Sequence, residues 1–358
     1  MFDIDFNRSD LQVIVHPQYQ ALIPKILEGL KPYNLENHFV LLSSGTTGGD
    51  IKGYAISKGA LFSNAKTTNE HFKLNEKDVW GLSLPVYHVG GLSVLARAHL
   101  LKNKVVDLRK WNTASWMQEM KDVTITTIVP TQLYDLVKQN FEAPTSLRYL
   151  VVGGDFLSST LKAEALKLGW PVIRTFGMSE VSSQLASTNK PESDDLQVLP
   201  IHKIKISDDR QLLVKSDSLF TLRFGLGKEF KVNLLKDLCD EEGYFMTSDQ
   251  AEVSGNILRH LGRMGDEIKI SGHLVNMKDL KETVGQFLVE KDLFGKVEFI
   301  LEDDERKVKK LVLLIQKDAV EKFSIGELSS ILMPIKVDEY RIVPTLGRTA
   351  LGKLKIKE

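Results

Sequence analysis

The chain has 358 residues, of which 42% are hydrophobic and 26% are charged, so it can build two or three domains or subdomains with a large core. Lys plus Arg and Asp plus Glu both total 47, which excludes a global electrostatic preference for nucleic acid or an anionic membrane. The single cysteine, Cys239, excludes an intramolecular disulfide and a multi-cysteine zinc site, and fits a reducing cytosol.

The first ten residues contain acids and lack the basic and then apolar pattern of a signal peptide. No later apolar run approaches the roughly 20 residues that a membrane helix needs. We therefore expect a soluble, cytoplasmic protein without membrane insertion.

The first strong pattern is an apolar run, Phe39–Leu42, which predicts a buried strand. A loop of small and hydroxyl residues, Ser43–Gly49, follows it directly. Helical and strand patterns then alternate: helices are predicted near Lys58–Phe72, Gly91–Leu101 and Thr131–Gln139, and strands at Trp80–Val86, Ile125–Val129 and Leu147–Val152. This alternation predicts an α/β domain whose mainly parallel sheets are flanked by helices and whose ligand sites lie beyond the strand ends.

From about Leu196 the pattern changes to short alternating strands, which predict a small antiparallel sheet. Its members include Ile204–Ile206 and Leu212–Val214. A further section begins near Gly262, with a helix that carries Met277, Leu280, Val284 and Phe287 at helical spacing, followed by strands at Val297–Leu301 and Leu311–Ile315. We expect a large N-terminal domain over residues 1–263 and a small C-terminal α+β domain over residues 264–358.

The segment Ser43–Gly53 combines the properties of a polyphosphate cradle: glycines that let the backbone approach a ligand, hydroxyl donors and a lysine. The P-loop of NTPases is excluded, because Lys52 is followed by Gly53 instead of Ser or Thr. A flexible polar loop is the plain alternative. The candidate phosphate-binding residues are Ser43, Ser44, Gly45, Thr46, Thr47, Gly48 and Lys52.

This loop resembles the signature of the adenylate-forming superfamily, which includes acyl-CoA synthetases, firefly luciferase and peptide-synthetase adenylation domains. Further signatures follow in the superfamily's order as far as the C-terminus. The resemblance implies a two-step reaction with ATP, Mg²⁺ and coenzyme A. A carboxylic acid is first adenylated with release of pyrophosphate, and the acyl group then passes to a thiol with release of AMP.

The segment Phe176-Gly177-Met178-Ser179-Glu180 resembles the superfamily's aromatic-Gly-x-Thr-Glu element. The resemblance implies that the aromatic ring packs on adenine and that Glu180 helps to hold Mg²⁺. An aromatic face and a hard carboxylate oxygen suit these roles. Taken alone, without the other motifs, Glu180 would be interpreted as a helix cap.

Asp249 and Arg263 match the aspartate and the arginine that contact the ribose, and Gly153 and Gly154 match a glycine pair at the same site. Lys353 matches the C-terminal lysine that reaches the reacting carboxylate and the α-phosphate, where charge accumulates in the transition state. Solvated surface residues are the plain alternative for the charged side chains. The resemblance assigns catalysis to Lys353, Glu180 and Thr46.

In the superfamily the small C-terminal domain rotates between the two steps. The resemblance places the hinge at Gly265, where Asp or Lys is common, and the wide φ/ψ range of glycine should allow the rotation. It also places Lys269 and Gly272 on the surface that admits the pantetheine arm of coenzyme A, since Gly272 leaves room for it.

Within the superfamily, Leu84–Leu92, Val151–Gly154 and Gly177–Gln184 are most similar to o-succinylbenzoate–CoA ligases of menaquinone synthesis. The resemblance implies an aromatic keto-diacid, bound in a flat apolar slot with polar groups for its second carboxylate. The residues assigned to this slot are His88, Gly154, Ser182, Ser183 and Gln184. Packing beside the neighbouring glycines is the alternative role for His88.

Two departures from the superfamily leave alternatives open. The loop is one residue longer than usual before Lys52 and lacks the usual proline, and only about forty residues precede it. We therefore expect part of the N-terminal subdomain to be missing or replaced, and the exposed edge left behind is compatible with a homodimer.

The competing hypotheses are an adenylase for another acid or for a carrier-protein thiol, and a catalytically weak nucleotide-binding protein. The joint presence of Glu180, Asp249, Arg263 and Lys353 favours an enzyme.

Overall fold

The computed structural model describes residues 4–43, 51–227, 229–265, 267–270, 273–304, 308–322 and 324–348. The strands are β1 (Gln12–Ile14), β2 (His38–Leu42), β3 (Lys52–Ser57), β4 (Val79–Leu82), β5 (Lys104–Asp107), β6 (Ile125–Ile128), β7 (Tyr149–Val152), β8 (Val172–Met178), β9 (Ser183–Ser187), β10 (Leu196–Val198), β11 (His202–Ile206), β12 (Gln211–Ser216), β13 (Leu222–Leu226), β14 (Phe230–Leu234), β15 (Phe245–Ser254), β16 (Ile257–Arg263), β17 (Glu267–Ile270), β18 (His273–Asn276), β19 (Val297–Asp304), β20 (Val308–Gln316) and β21 (Glu339–Val343).

The α-helices are α1 (Ile23–Leu30), α2 (Lys58–His71), α3 (Val89–Leu101), α4 (Thr113–Glu119), α5 (Pro130–Lys138), α6 (Ser159–Lys167), α7 (Met277–Glu290) and α8 (Ile325–Leu332). Short 3₁₀ turns lie at Pro17–Leu22, Met120–Asp122, Ser179–Val181, Leu235–Leu238 and Lys317–Lys322. None of the helices in the described part of the chain combines the length and the hydropathy that a bilayer crossing requires.

The larger of the two sheets before residue 264 combines parallel and antiparallel strands. In the described residues it has eleven strands, in the order β11-β12-β15-β16-β10-β9-β8-β7-β6-β4-β5. The strands from β8 to β5 run parallel, and those from β8 to β11 are antiparallel to their neighbours. The predicted α/β class is confirmed. The antiparallel strands predicted from Leu196 onward extend the parallel sheet instead of forming a separate one.

Helices cover both faces of the parallel strands. On one face, Leu95 of α3 belongs to a buried cluster with Trp80 of β4. On the other, Leu133 of α5 and Leu161 of α6 share a cluster with Val172 of β8. Because both faces are packed, the edge formed by the carboxyl ends of these strands is the place where a ligand can reach the sheet.

A second sheet of five strands, β1-β2-β3-β13-β14, holds both ends of the predicted phosphate loop. The loop connects β2 to β3, which pair antiparallel with Leu42 opposite Gly53. Helix α2 follows β3 directly, because the Ser57 hydroxyl caps it by accepting a hydrogen bond from the Ala60 backbone N–H at 3.0 Å. The predicted strand and helix on either side of the loop are thus confirmed.

The C-terminal part of the chain has its own sheet, β19-β20-β21, and its own core with α7 and α8. The predicted helix and both predicted strands of this part are present. It touches the large sheet's helices through polar contacts. The Tyr134 hydroxyl donates to Asp292 Oδ1 at 2.6 Å, and the Ser159 backbone N–H donates to Glu282 Oε1 at 3.1 Å.

Candidate active site

Three segments that the sequence predicts to bind ligand lie at the carboxyl edge of the parallel strands. Ser83–His88 follows β4, the pair Gly153 and Gly154 follows β7, and Phe176 lies near the end of β8. These strands run parallel within one sheet, in the order β4-β6-β7-β8, so their ends lie along the same edge. The fold therefore brings together residues that are about ninety positions apart in the sequence.

The segment that ends at Glu180 is fixed by a very close approach of two strands. β8 pairs with β9 across a register shift between Phe176 and Gly177. A Cβ atom on Gly177 would lie 1.9 Å from the Ser183 carbonyl oxygen, so no other residue type fits there. This contact sets the start of the turn Ser179–Val181, which carries the Glu180 carboxylate.

Glu180 is held by a tyrosine from the strand that leaves the phosphate loop. The Tyr54 hydroxyl donates to Glu180 Oε1 at 2.7 Å, and Tyr54 is 5% exposed. Burial and the Glu180 carboxylate raise the pKa of the phenol, so it remains a donor at neutral pH, while Arg223 and Arg263 act in the opposite direction.

Asp249 and Phe176 are joined by one imidazole. Asp249 is 8% exposed, and its Oδ1 lies 2.8 Å from His260 Nε2. The His260 ring stacks on Phe176 with centroids 4.3 Å apart and planes inclined by 29°. Asp249 is also the cross-strand partner of Arg263. Phe176 and Asp249, predicted to contact adenine and ribose, thus form one contiguous group with His260.

The site fits Mg²⁺ that is held mainly by phosphate. Glu180 offers a hard carboxylate oxygen beside the strand that leaves the phosphate loop. Within the ranges that the structure describes, no group of three or more His, Cys, Asp or Glu residues could hold a metal ion. This donor set suits an ion that takes one carboxylate and completes its shell with phosphate oxygens and water.

Helix α3 places a buried cation beside Ser183, one of the residues predicted to line the acyl slot. Ser183 Oγ accepts hydrogen bonds from Ser93 Oγ at 3.0 Å and from Arg97 Nη2 at 3.2 Å. Arg97 is 1% exposed, and burial lowers the pKa of its guanidinium. Among the described residues, no carboxylate forms an ion pair with Arg97, and its Nε has no hydrogen-bond partner. A buried charge without a counter-charge is costly, so this position favours an anionic ligand.

Gln184 is held through its backbone and leaves its side chain unpaired. Its carbonyl oxygen accepts hydrogen bonds from Asn64 Nδ2 at 2.7 Å and from His202 Nε2 at 2.9 Å. Both polar atoms of its buried amide lack a partner within the described residues. Ser182 differs, because its fully buried hydroxyl donates to the Ser218 carbonyl oxygen at 2.6 Å and is therefore used within the core.

His88 lies at the N-terminus of α3, and its ring is 4.7 Å from that of Tyr87. Tyr87 in turn contacts His16 with ring centroids 4.9 Å apart. A Cβ atom on Gly91 would lie 2.2 Å from the Pro85 carbonyl oxygen, so the turn that precedes α3 is tightly closed. This geometry places His88 at the same helix end as Ser93, in agreement with either a pocket or a packing role.

Several predicted residues lie outside the described residues: Ser44, Gly45, Thr46, Thr47, Gly48, Gly272 and Lys353. The loop's ends are described, and the Ser43 backbone N–H donates to the Lys52 carbonyl oxygen at 2.8 Å. Lys269 lies in β17, and Gly265 has a φ of +90°.

Four residues that the structure brings into the site were missed from the sequence: Tyr54, Arg97, His202 and His260. Arg97 had a usable signal, because a lone guanidinium interrupts the apolar helix Val89–Leu101. The other three occupy strand positions whose partners come from distant segments, so the local pattern could not identify them.

A family model described as AMP-binding enzyme matches residues 29–217. A 2-succinylbenzoate–CoA ligase of Staphylococcus epidermidis is 28% identical over 278 residues, which cover 69% of this chain and 56% of that relative. The corresponding ligase of Staphylococcus aureus MSSA476 is 27% identical over 384 residues, covering 99% of this chain and 75% of that protein.

Among solved structures, o-succinylbenzoate coenzyme A synthetase (MenE) from Bacillus subtilis, in complex with AMP, has a TM-score of 0.72 at 22% identity. The match covers 88% of this chain and 67% of that one. At this identity the likeness establishes the fold alone. The chain spans little more than half the length of the Staphylococcus epidermidis relative, at 56%.

His202→Gln should reduce the loss of stability in acid. Burial lowers the pKa of His202 to about 4, against an ordinary value of about 6.5, so the unfolded chain takes up a proton before the folded one. Its contribution to stability is complete above about pH 6.5 and is lost as the pH falls toward 4, by about 3 kcal/mol. Urea unfolding at pH 7 and pH 4 should show a smaller difference for the variant, and an unchanged difference would contradict the assignment.

Proposed function

This chain belongs to the AMP-binding enzyme family, and from that premise we propose that it activates a carboxylic acid with ATP and transfers the acyl group to a thiol. The first step joins the acid's carboxylate to the α-phosphorus of ATP and expels pyrophosphate. In the second step the sulfur of the thiol attacks the acyl carbon, the proton of the thiol is released and AMP leaves. We propose coenzyme A as the thiol donor.

The observation that supports this proposal best is the convergence of dispersed side chains. Phe176, Asp249 and His260 form one contact group, and Glu180 meets Tyr54 at the strand leaving the phosphate loop. An aromatic face, a carboxylate acceptor for ribose hydroxyls and a carboxylate beside the phosphate loop are what an adenine nucleotide with Mg²⁺ requires. A scaffold protein would have no use for all of them at one strand edge.

Each group then has a defined task. Phe176 stacks on the base, Asp249 accepts hydrogen bonds from the ribose, and the loop that begins at Ser43 surrounds the phosphates. Mg²⁺, when bound with Glu180 as a ligand, neutralises charge on the phosphate oxygens. Arg263, the cross-strand partner of Asp249, adds positive charge on the ribose side.

We propose that residues 264–358 form a separate unit that turns about Gly265. The separate C-terminal core and the positive φ of Gly265, where other residues would be strained, support this boundary. Rotation would bring Lys353 to the reacting carboxylate for adenylation and then present Lys269 and Gly272 to the pantetheine arm.

We propose o-succinylbenzoate as the acid. The buried Arg97 guanidinium lacks a carboxylate partner in the described residues, and the Gln184 amide lacks hydrogen bonds there. The second carboxylate of an aromatic diacid would supply charge and acceptors to these groups. The names of the curated relatives agree with this choice. His88 and Gly154 would line the same slot.

Three finer points stay predictions: coenzyme A instead of a carrier-protein thiol, a homodimer, and a cytoplasmic location. A thioester assay with both acceptors decides the first. Sedimentation of the purified chain decides the second, and cell fractionation decides the third.

If the chain activates a carboxylic acid with ATP, labelled pyrophosphate should exchange into ATP only when a suitable acid is present. Among a panel of acids, o-succinylbenzoate should give the fastest exchange. Lys353→Ala should slow exchange by orders of magnitude but leave thioester formation from preformed acyl-adenylate intact, because the lysine acts on the first step. Equal loss of both steps would refute the assignment of Lys353 to adenylation alone, and the absence of exchange with every acid would refute the proposed enzymatic activity.

Arg97→Met should lower the activity toward the diacid without lowering the stability of the fold. The variant removes a buried charge that has no counter-charge, so the free energy of unfolding should stay the same or rise. The kcat/KM for o-succinylbenzoate should fall about 30-fold or more, since the second carboxylate loses its buried partner. The related keto-monoacid that lacks this carboxylate should be affected little. A destabilised variant with unchanged preference for the diacid would assign Arg97 to the core instead.

A further inference from the structure

His260 contacts two of the groups that the proposed function assigns to the nucleotide. It lies in β16, opposite Ala251 of β15, and its ring stacks on Phe176 at 4.3 Å. The same imidazole reaches Asp249 Oδ1 through Nε2 at 2.8 Å. A residue that only filled space would need the stack on Phe176 but not the hydrogen bond to Asp249.

The hydrogen bond from His260 determines how the Asp249 carboxylate is oriented and which of its acceptor sites remain for a ligand. With the proton on Nε2, the imidazole donates to Oδ1 and fixes the plane of the carboxylate. Among the described residues, His260 is the side chain that hydrogen bonds to the Asp249 carboxylate. Oδ2 and the second lone pair of Oδ1 therefore remain as acceptors for the ribose hydroxyls.

Stacking on Phe176 fixes the orientation of the donor itself. The stack, with the two ring planes inclined by 29°, holds the plane of the imidazole, and the hydrogen bond to Asp249 Oδ1 holds Nε2 on the side of the carboxylate. The base platform and the ribose acceptor are thereby held at a set distance and angle before a nucleotide arrives. Groups positioned in advance bind more tightly, because less freedom is lost on binding.

We infer that His260 is a positioning residue that couples the base platform to the ribose acceptor and gives the site its preference for an intact ribose. This inference rests on the proposed nucleotide site and adds a residue to it. The imidazole acts through Phe176 and Asp249 and leaves the reacting groups untouched.

Two variants separate the two contacts. His260→Phe keeps a ring for stacking and removes the donor, whereas His260→Gln keeps a donor near the position of Nε2 and removes the ring. Calorimetric titration of the full chain with ATP and with 2′-deoxy-ATP and 3′-deoxy-ATP, without acid, measures the affinities and the preference for ribose. The melting temperature of each variant is recorded beside them, and Asp249→Asn serves as the reference for a lost acceptor.

We expect His260→Phe to weaken ATP binding about tenfold and to bring the deoxy-to-ribo ratio of Kd values close to one, as in Asp249→Asn. His260→Gln should keep much of the ratio while binding all three nucleotides less tightly. The double variant His260→Phe with Asp249→Asn should lose no more of the preference for ribose over deoxyribose than Asp249→Asn loses alone.

Unchanged ratios in both His260 variants would overturn the inference, as would equal weakening of all three nucleotides in His260→Phe in step with its melting temperature. Failure of the wider proposal looks different. A wild-type chain that binds ATP with the expected ratios but exchanges no pyrophosphate would refute the acid-activating enzyme, and loss of those ratios in His260→Phe would still support the role of His260. A wild-type chain that binds none of the nucleotides would overturn both.

Discussion

Strand β8 is the element on which the site depends, because it is hydrogen bonded in two different ways. It runs parallel to β7 and antiparallel to β9, and so joins the two halves of the large sheet. The approach at Gly177, where a side chain would collide with the Ser183 carbonyl oxygen, allows this change of partner. Phe176 and Glu180 therefore point from the junction itself, where strands from both halves can reach them.

The two sides of this junction differ in how well their polar groups are satisfied. On the proposed nucleotide side, Asp249 and Glu180 already have donors in His260 and Tyr54. On the proposed acyl side, Arg97 and Gln184 retain buried atoms without partners in the described residues. Unpaired buried polar groups lower stability, and they persist where a ligand can complete them. The asymmetry favours a preformed nucleotide platform next to a pocket that becomes complete with its acid.

Much of the fold could be predicted from hydrophobic periodicity. The strand before the phosphate loop and helices α2, α3, α5 and α7 follow from local pattern, because their apolar residues pack into the buried clusters of the core. The continuation of the parallel sheet into antiparallel strands could not be predicted, since it depends on the partner that β8 takes. Candidate site residues that belong to a sequence motif could be predicted, whereas Tyr54 and His260 make their contacts with partners 126 and 11 residues away.

The same strand that carries His260 also links the nucleotide side to the C-terminal unit. Lys278, at the start of α7, donates to the His260 carbonyl oxygen, and Asn276 Nδ2 donates to the Leu261 carbonyl oxygen at 2.7 Å. Gly265, with its positive φ, lies between these donors and β16. A rotation about Gly265 would have to break both hydrogen bonds beside the residue that orients Asp249. The arrangement in which these two donors are engaged is therefore also the one in which the backbone that carries His260 is held from the C-terminal side.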